Sequence, residues 1–537
     1  MDATQAARDW SSERIVEETS RLSGELSSLT GDLDQAIEQA IVDIEDLSRQ
    51  ITEIDVEIKT AKHRGQSPNQ LLDQRGQVLR DLAELIDVEV DQQVNFELEE
   101  GVREDFYRLG GGFLAFSSTP MEIETTLAQD GSLLISRVGS DREFSITSGR
   151  LGGLLSARND FAKGIVNQLD EFANGLVTRL DTIHATGVGL GDGFANIVGR
   201  RTVEDITVPL GQLETIAPIE AGSLFVSVVD SNGMESMHEI VVDPLSQSAS
   251  DLAAAISGVP HLSAVISAET GRLNIAAQSG YQFSFTGRLP TDLSNTSSIA
   301  GTFLPNLSGA YSGPENMDVS FRFSGSGDIG VTAGLTLEVL NASGGVIDTF
   351  DVGLGYGSTD LRVAEGVNLS LSPGTVVAGD TFSTAFVAEP DTTNALAAFG
   401  INTLFMGTEV GDYAVNMAIL DDTSLLAVRN FGEPLDTSKK MLEVRDEKFL
   451  ANGTQTVHEF LTNMITGVGT DTVELIQSQE NLSAAGDALA AKEQGLSGVD
   501  PNEEMVRMLQ YQRAFQAASR YIATVEDALD ELFNIIR

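Results

Sequence analysis

Cysteine is absent from the 537 residues, which removes disulfides, thiolate metal centres and cysteine nucleophiles from consideration. Tryptophan occurs once, at Trp10, beside only seven tyrosines, too few to furnish the aromatic platforms of many ligand sites. Positive charge is scarce: 33 Lys and Arg stand against 80 Asp and Glu, a formal charge of −47. That excess repels phosphate backbones and anionic membrane surfaces, so no nucleic acid and no membrane is expected as a partner. No stretch approaches the roughly 18 uninterrupted apolar residues of a spanning helix. The start Met1-Asp2-Ala3-Thr4 lacks the basic and apolar regions of a cleavable signal. The expectation is a cytoplasmic chain, or one exported by a route that cleaves nothing.

What is present is length and pattern. At roughly 100 to 200 residues per domain the chain predicts three or four units, and a hydrophobic content of 41% is that of a globular protein. In the first 60 or so residues Leu33, Ile37, Ala40, Ile44, Leu47, Ile51, Ile54, Ile58 and Ala61 follow in steps of four and three. That is a heptad seam, with an acidic solvent face between its positions. This helix is expected to end near Arg64-Gly65, and a second to start with Ser67 as N-cap and Pro68 at the first position, folding back as a helical hairpin. From Val88 to about Ile146 short alternating runs, among them Val88/Val90 and Phe96/Leu98, predict a small β element. From Leu151 to about Ile183 the helical stripe returns, through Leu155, Ala162, Ile165, Leu169, Phe172, Leu176 and Leu180.

The middle is rich in Gly, Ser, Thr and Val. Runs such as Leu224/Val226/Val228, Tyr281/Phe283/Phe285, Val319/Phe321/Phe323 and Leu335/Leu337/Val339 predict antiparallel strands in one or two all-β domains. After Asp391 the pattern turns helical, ending in a second seam at Met508, Tyr511, Phe515, Ala518, Ile522, Val525, Leu529, Leu532 and Ile536. Most such stripes bury within their own domain, but this one runs for about 40 Å. An apolar body of that length requires a partner of equal length. The fold class expected is α+β multidomain: long antiparallel, coiled-coil-like helices from both ends, with antiparallel all-β projecting domains. The divisions are 1–87 (helical), 88–150 (small β element), 151–187 (returning helix), 188–390 (β-rich projecting domains), 391–495 (mixed helical return) and 496–537 (assembly helix).

Catalytic chemistry finds little support. The five histidines, His63, His184, His238, His261 and His458, show no metal-ligand spacing, and no Asp/Asn run has the spacing of a calcium loop. Gly325-Ser326-Gly327-Asp328-Ile329-Gly330 matches a dinucleotide fingerprint formally, yet it lies between strand patterns, the second from Val331 to Leu340, with no helix N-terminus to hold a pyrophosphate. A hairpin loop is the expectation. With 80 acidic residues some carboxylate pair always lies close, so pairing carries no specificity. Asp360, Asp380 and Asp391 are expected to cap turns. No cofactor, metal or catalytic residue is expected.

Leu496-Ser497-Gly498-Val499-Asp500-Pro501-Asn502-Glu503-Glu504-Met505, with Leu509-Gln510-Tyr511-Gln512-Arg513-Ala514-Phe515-Gln516-Ala517-Ala518-Ser519-Arg520 and Thr524-Val525-Glu526-Asp527-Ala528-Leu529, resembles the terminal signature of bacterial flagellar axial proteins. Ser67-Pro68-Asn69-Gln70-Leu71-Leu72-Asp73-Gln74-Arg75, the Gly152-Gly153-Leu154 helix start and Gly400-Ile401-Asn402-Thr403-Leu404-Phe405 resemble the hook-associated protein type 1 (FlgK) family. Members of that family begin with a further helical region bearing an Asn-Ile-Ala-Asn type motif, whereas this sequence starts inside the long helical part.

The resemblance implies a non-enzymatic subunit of the hook–filament junction, exported unfolded through the flagellar type III channel. Terminal helices would form the inner tube, with β domains outward. It further implies hook protein, a second junction protein (hook-associated protein type 3) and other copies in a ring as partners, with an export chaperone on the C-terminal helix. Leu71, Leu72, Asp73, Gln74 and Arg75 would lie in the surrounding helical domain. A flagellin-like or hook subunit is the alternative within the class; a secreted hydrolase or an adhesin lies outside it.

Overall fold

The computed structural model describes residues 12–94, 103–109, 114–116, 121–139, 143–144, 146–191, 193–293, 297–407, 410–429, 436–497 and 501–535. Two units result, residues 1–460 and 461–537. Phe96, Leu98 and Ile536 lie outside the described residues.

The first unit begins with α1, Ser12–His63, a single helix of 52 residues. It closes at Gly65, whose φ of +72° turns the chain back, and α2 follows as Asn69–Leu85. The expected Ser67 cap is not formed: the helix starts one residue later, and the Ser67 hydroxyl donates to the Asn69 side chain instead. Pro68 takes the cap position, where its missing N–H costs nothing. The strands β1 (Val88–Val94), β2 (Arg103–Leu109) and β3 (Leu114–Phe116) make one antiparallel sheet. A second is made by β4 (Ile123–Leu127), β5 (Leu133–Arg137) and β6 (Glu143–Phe144). Helix α3 (Gly149–Ser156) runs through a π-helical turn at Ala157–Ala162 into α4 (Lys163–Ala185). The continuous stripe read from the sequence is therefore interrupted. The wider turn accompanies Arg158, whose guanidinium ties Asp34 of α1 and the Gly131 carbonyl to this helix.

Among the described residues, four hydrophobic cores organise this unit. Ile37, Ile44 and Ile51 of α1 are fully buried against Leu82 and Leu85 of α2, Leu151 and Leu155 of α3, and Tyr107, Ile123 and Ile135 of the small sheets. Leu47 is partly buried at its margin, Ile54 is half-buried, and Ile58 is buried. Leu169, Ala173 and Val177 of α4 form a second core with Phe405, Tyr413 and Ile419.

An inner β module holds β7 (Asn196–Val198), β8 (Gly222–Asp230), β9 (Glu235–Val242), α5 (Ala249–Ser257), β10 (Leu262–Ile266), β11 (Leu273–Ala277) and β12 (Tyr281–Ser284), in two three-stranded sheets, β12-β8-β9 and β10-β11-β7. It is not all-β as expected: α5 packs on the core through Leu252, Ala253 and Ile256, fixed by a Ser248/Asp251 capping box.

The outer β module holds β13 (Ser297–Ser298), β14 (Pro305–Gly309), β15 (Met317–Phe323), β16 (Gly327–Asp328), β17 (Thr336–Asn341), β18 (Val346–Asp351), β19 (Leu361–Ala364), β20 (Val367–Leu371), β21 (Thr375–Val376) and β22 (Thr381–Phe386). Its main sheet runs β13-β22-β15-β17-β18. Phe321 stacks on Phe382 at 4.7 Å and Phe303 meets Phe323 edge-on at 4.9 Å in its core. The Gly325–Gly330 segment is not the plain hairpin loop expected: Gly327–Asp328 within it form β16, paired with β21, and the next strand starts at Thr336 rather than Val331, because residues 329–334 form turns around Gly330 and Gly334, both at positive φ.

The return passes through α6 (Ala395–Phe399), the two-residue strands β23 (Phe405–Met406) and β24 (Ala414–Val415), α7 (Met417–Asp421) and α8 (Asp436–Glu443) to α9, Val457–Ser497. The second unit is most of α9 together with α10, Pro501–Ile535. Lysine is confined to the parts outside the β modules: none occurs between Lys163 and Lys439.

Candidate assembly surface

Helix α10 forms because its residues from Met505 to Val525 are strong helix formers without Gly or Pro, and Pro501 opens it at the position that tolerates a missing N–H. Along it Met508, Tyr511, Phe515 and Ile522 are 56%, 75%, 75% and 60% exposed, and Ala518 between them is exposed as well. Val525, Leu529 and Leu532 continue the helix. Met505, Leu509 and Tyr521 widen the apolar face. An exposed Phe or Ile forgoes about 1.5 to 3 kcal/mol relative to a buried one, so a row of them marks a contact surface. One feature was missed in the sequence: between Met505 and Val525 there are three arginines, Arg507, Arg513 and Arg520, and no acidic residue. In a chain of net charge −47 this cationic, apolar stretch, flanked by Glu503 and Glu504 before it and Glu526 and Asp527 after it, is suited to an acidic, apolar counterpart.

The motif at Leu71–Arg75 divides. Leu72 is 37% exposed, Asp73 and Gln74 are exposed and Leu71 is half-buried, whereas Arg75 turns inward. Its Nη1 donates to Asp55 Oδ1 at 3.1 Å, and the Tyr107 hydroxyl donates to Asp55 Oδ2 at 2.7 Å. Arg75 thus ties α2 to α1 and to β2.

A second polar cluster lies where α4 meets the inner module. Arg201 Nη2 donates to Asp181 Oδ2 at 2.7 Å, and the Leu404 and Phe405 amides both donate to Asp181 Oδ1 at 2.9 Å. Burial pushes the Asp181 carboxyl up to about 6 against the pull of Arg201 and these amides. His184 is fully buried, one turn on. Its Nδ1–H donates to the Asn402 carbonyl at 2.6 Å while Nε2 accepts the Ala427 amide at 3.0 Å. That fixes the neutral tautomer, and burial pushes its pKa down to about 4. The Asn402 side-chain amide donates to the carbonyls of His184, Ala185 and Gly187. Gly400, at φ +67°, leaves no room for a Cβ, which would lie 2.8 Å from the Arg200 and Arg201 amides. Every polar atom of His184 is thus committed to internal bonds, which suits a structural residue. Asp380 and Asp391 do cap turns, accepting the amides of Ala300, Gly301 and Val377, and of Thr393 and Leu396, respectively.

Residues 10–197 match the family model of the flagellar hook-associated protein FlgK helical domain. Residues 495–535 match that of the flagellar basal body rod FlgEFG protein C-terminal. Flagellar hook-associated protein 1 of Escherichia coli strain K12 is 23% identical over 168 residues, 28% of this chain and 31% of that protein, so the chain spans less than a third of the curated relative it matches. Among solved structures, the flagellar hook junction protein FlgK from Burkholderia pseudomallei is 16% identical, covering 90% of this chain and 88% of that one, with a TM-score of 0.39. FlgL from Xanthomonas campestris is 11% identical, covering 90% and 99%, with a TM-score of 0.12. The two family matches, one on the helical hairpin and one on α10, are both to flagellar proteins. The helical-domain match and the curated match both fall on hook-associated protein 1, so over its helical part the chain is similar to FlgK.

Proposed function

We propose that this chain is a structural, non-enzymatic subunit that joins hook to filament in the bacterial flagellum, exported without cleavage and assembled through its terminal helices. The observation that carries this reading is the exposed apolar row on α10, inside the segment that matches an axial-protein C-terminal family. Met508, Tyr511, Phe515, Ala518, Ile522, Val525, Leu529, Leu532 and Ile536 form the assembly face. The same face engages an export chaperone before assembly, because an uncovered apolar helix of this length aggregates. Hook protein, hook-associated protein type 3 and neighbouring copies in a ring are its assembled partners. Electron microscopy of flagella labelled for this protein tests the reading: a single spot at the filament base is expected. Label along the whole filament would identify a flagellin-like subunit instead.

A further inference from the structure

The apolar row on α10 has a counterpart on α9. There Leu475, Leu482 and Leu489 stand seven residues apart and all three are exposed, with Gln479 and Gly486 between them at alternating steps of three and four. A row of that spacing occupies one face of a helix. The second unit therefore carries two uncovered heptad faces on consecutive helices, separated in sequence by only Gly498, Val499 and Asp500.

The two faces match when the helices run antiparallel. Backward along α9, the intervals from Leu489 through Gly486, Leu482 and Gln479 to Leu475 are three, four, three and four; forward along α10, those from Met508 through Tyr511, Phe515 and Ala518 to Ile522 are the same in the same order. Large then stands opposite small: Tyr511 meets Gly486 and Gln479 meets Ala518, while Leu482 with Phe515 and Leu475 with Ile522 fill the layers between them. The sequence keeps that register further, with Thr472 against Val525, Val468 against Leu529 and Ile465 against Leu532. The connection fits as well, since antiparallel helices are joined by about two to five residues. Glycine weakens a helix interior, yet a Cβ at Gly486 would meet nothing within 4 Å; a Tyr511 ring packed over it supplies the reason for its size. Charge agrees with the register. Opposite the three arginines of residues 505–525 it lays residues 472–492, where Glu474, Glu480 and Asp487 face a single cation, Lys492.

We infer that in the unassembled chain α10 folds back on α9 as an antiparallel helical hairpin, which stores the apolar row until an assembly partner takes the place of α9. The occupant of the α9 face is α10 of the same chain, because the three-residue connection brings it there without a second copy. The pairing stands on the register by itself; its role as storage rests on α10 being the assembly face.

The absence of native cysteine makes the test direct. In the full chain, Gln479→Cys with Ala518→Cys leaves the Leu, Phe and Ile layers intact and is expected to form an intramolecular disulfide under mild oxidation. Gln479→Cys with Gln510→Cys, off register by about 12 Å, is expected to form none. With the helices end to end, residues 479 and 518 would lie about 55 Å apart. No disulfide in the registered pair, equal yields in both pairs, or disulfides only between chains overturns the hairpin. In the cysteine-free chain, Leu482→Asp is expected to speed chymotryptic cleavage after Tyr511 and Phe515 roughly tenfold or more, since it opens the layer that covers Phe515. Unchanged cleavage overturns the proposal too. Neither readout uses a hook or filament component, so a failure here is distinct from a failure of the junction reading, which microscopy of labelled flagella tests.

Discussion

Arg201 and Asp181 are ion-paired at 2.7 Å with 3% and 0% of their side chains exposed, and the pair ties together three segments, one of them more than 200 residues away in sequence. Asp181 belongs to α4, Arg201 follows β7 of the inner module, and the amides that share the carboxylate come from Leu404 and Phe405 on the return path. Arg201 also donates to the Ala397 carbonyl of α6 and to that of Gly407. The helical body and the inner β module therefore meet through a polar contact whose partners are all specified, next to a core where apolar packing supplies the adhesion.

Removing one partner of such a pair leaves a buried charge without compensation, which costs about 3 to 5 kcal/mol. Asp181→Asn is expected to lose about that much stability, while the double change Asp181→Leu with Arg201→Met loses distinctly less. Calorimetry of the transition that contains the inner module measures both.

On α10, Phe515→Asp and Ile522→Asp are each expected to weaken capture by the export chaperone and assembly at the junction by tenfold or more, since about 1.5 to 3 kcal/mol of apolar burial is forfeited and a charge is introduced. Circular dichroism of the β modules is expected to be unchanged. Full binding and normal motility in both variants would remove α10 as the assembly face.

The pH dependence of stability has opposite signs at neighbouring residues. His184, held down to about 4, contributes stability that is present above its ordinary 6.5 and fades as pH falls toward 4. Asp181, raised to about 6, contributes stability present below its ordinary 3.8 and lost as pH rises through 6. Between about pH 4 and 6 the two offset each other. In His184→Gln only the Asp181 contribution remains of this pair. The stability gap between the parent and His184→Gln is therefore expected to narrow by up to about 3 kcal/mol from pH 6.5 to 4. Denaturant titrations at a series of pH values provide the measurement.

Assembly of purified subunits is expected to weaken as salt is lowered, because the −47 formal charge of each subunit is screened over about 10 Å at 0.1 M salt and only over about 30 Å at 0.01 M. Light scattering across that range reads it. Salt-independent assembly would show that the acidic surface lies away from the contacts.

The long helices were legible because steps of three and four persist over many turns, and Ile37, Ile44 and Ile51 are buried as that spacing requires. The strands at Leu224/Val226/Val228 and Val319/Phe321/Phe323 were legible from alternation, whose apolar members face the two β cores. Helix α5 was overlooked although its signal was present: Ser248 and Asp251 stand at capping-box spacing ahead of an Ala/Leu/Ile run. The Asp181, His184, Arg201 and Asn402 cluster was not legible, because its members come from segments more than 200 residues apart and single-residue spacing does not encode that closure. The apolar row of α10 was legible from helical period and its need for a partner from its length, whereas the absence of acidic residues between Met505 and Val525 required attention to charge rather than to apolar spacing.

The absence of lysine from the β modules makes the molecule chemically two-toned. An amine-reactive dye or cross-linker will attach at residues such as Lys59, Lys439 and Lys448 and pass over everything from β7 to β22, so biotinylation or immobilisation through amines leaves the β modules unmodified. Any ligand or antibody that reads those modules can therefore be assayed on protein tethered through lysines that all lie outside them.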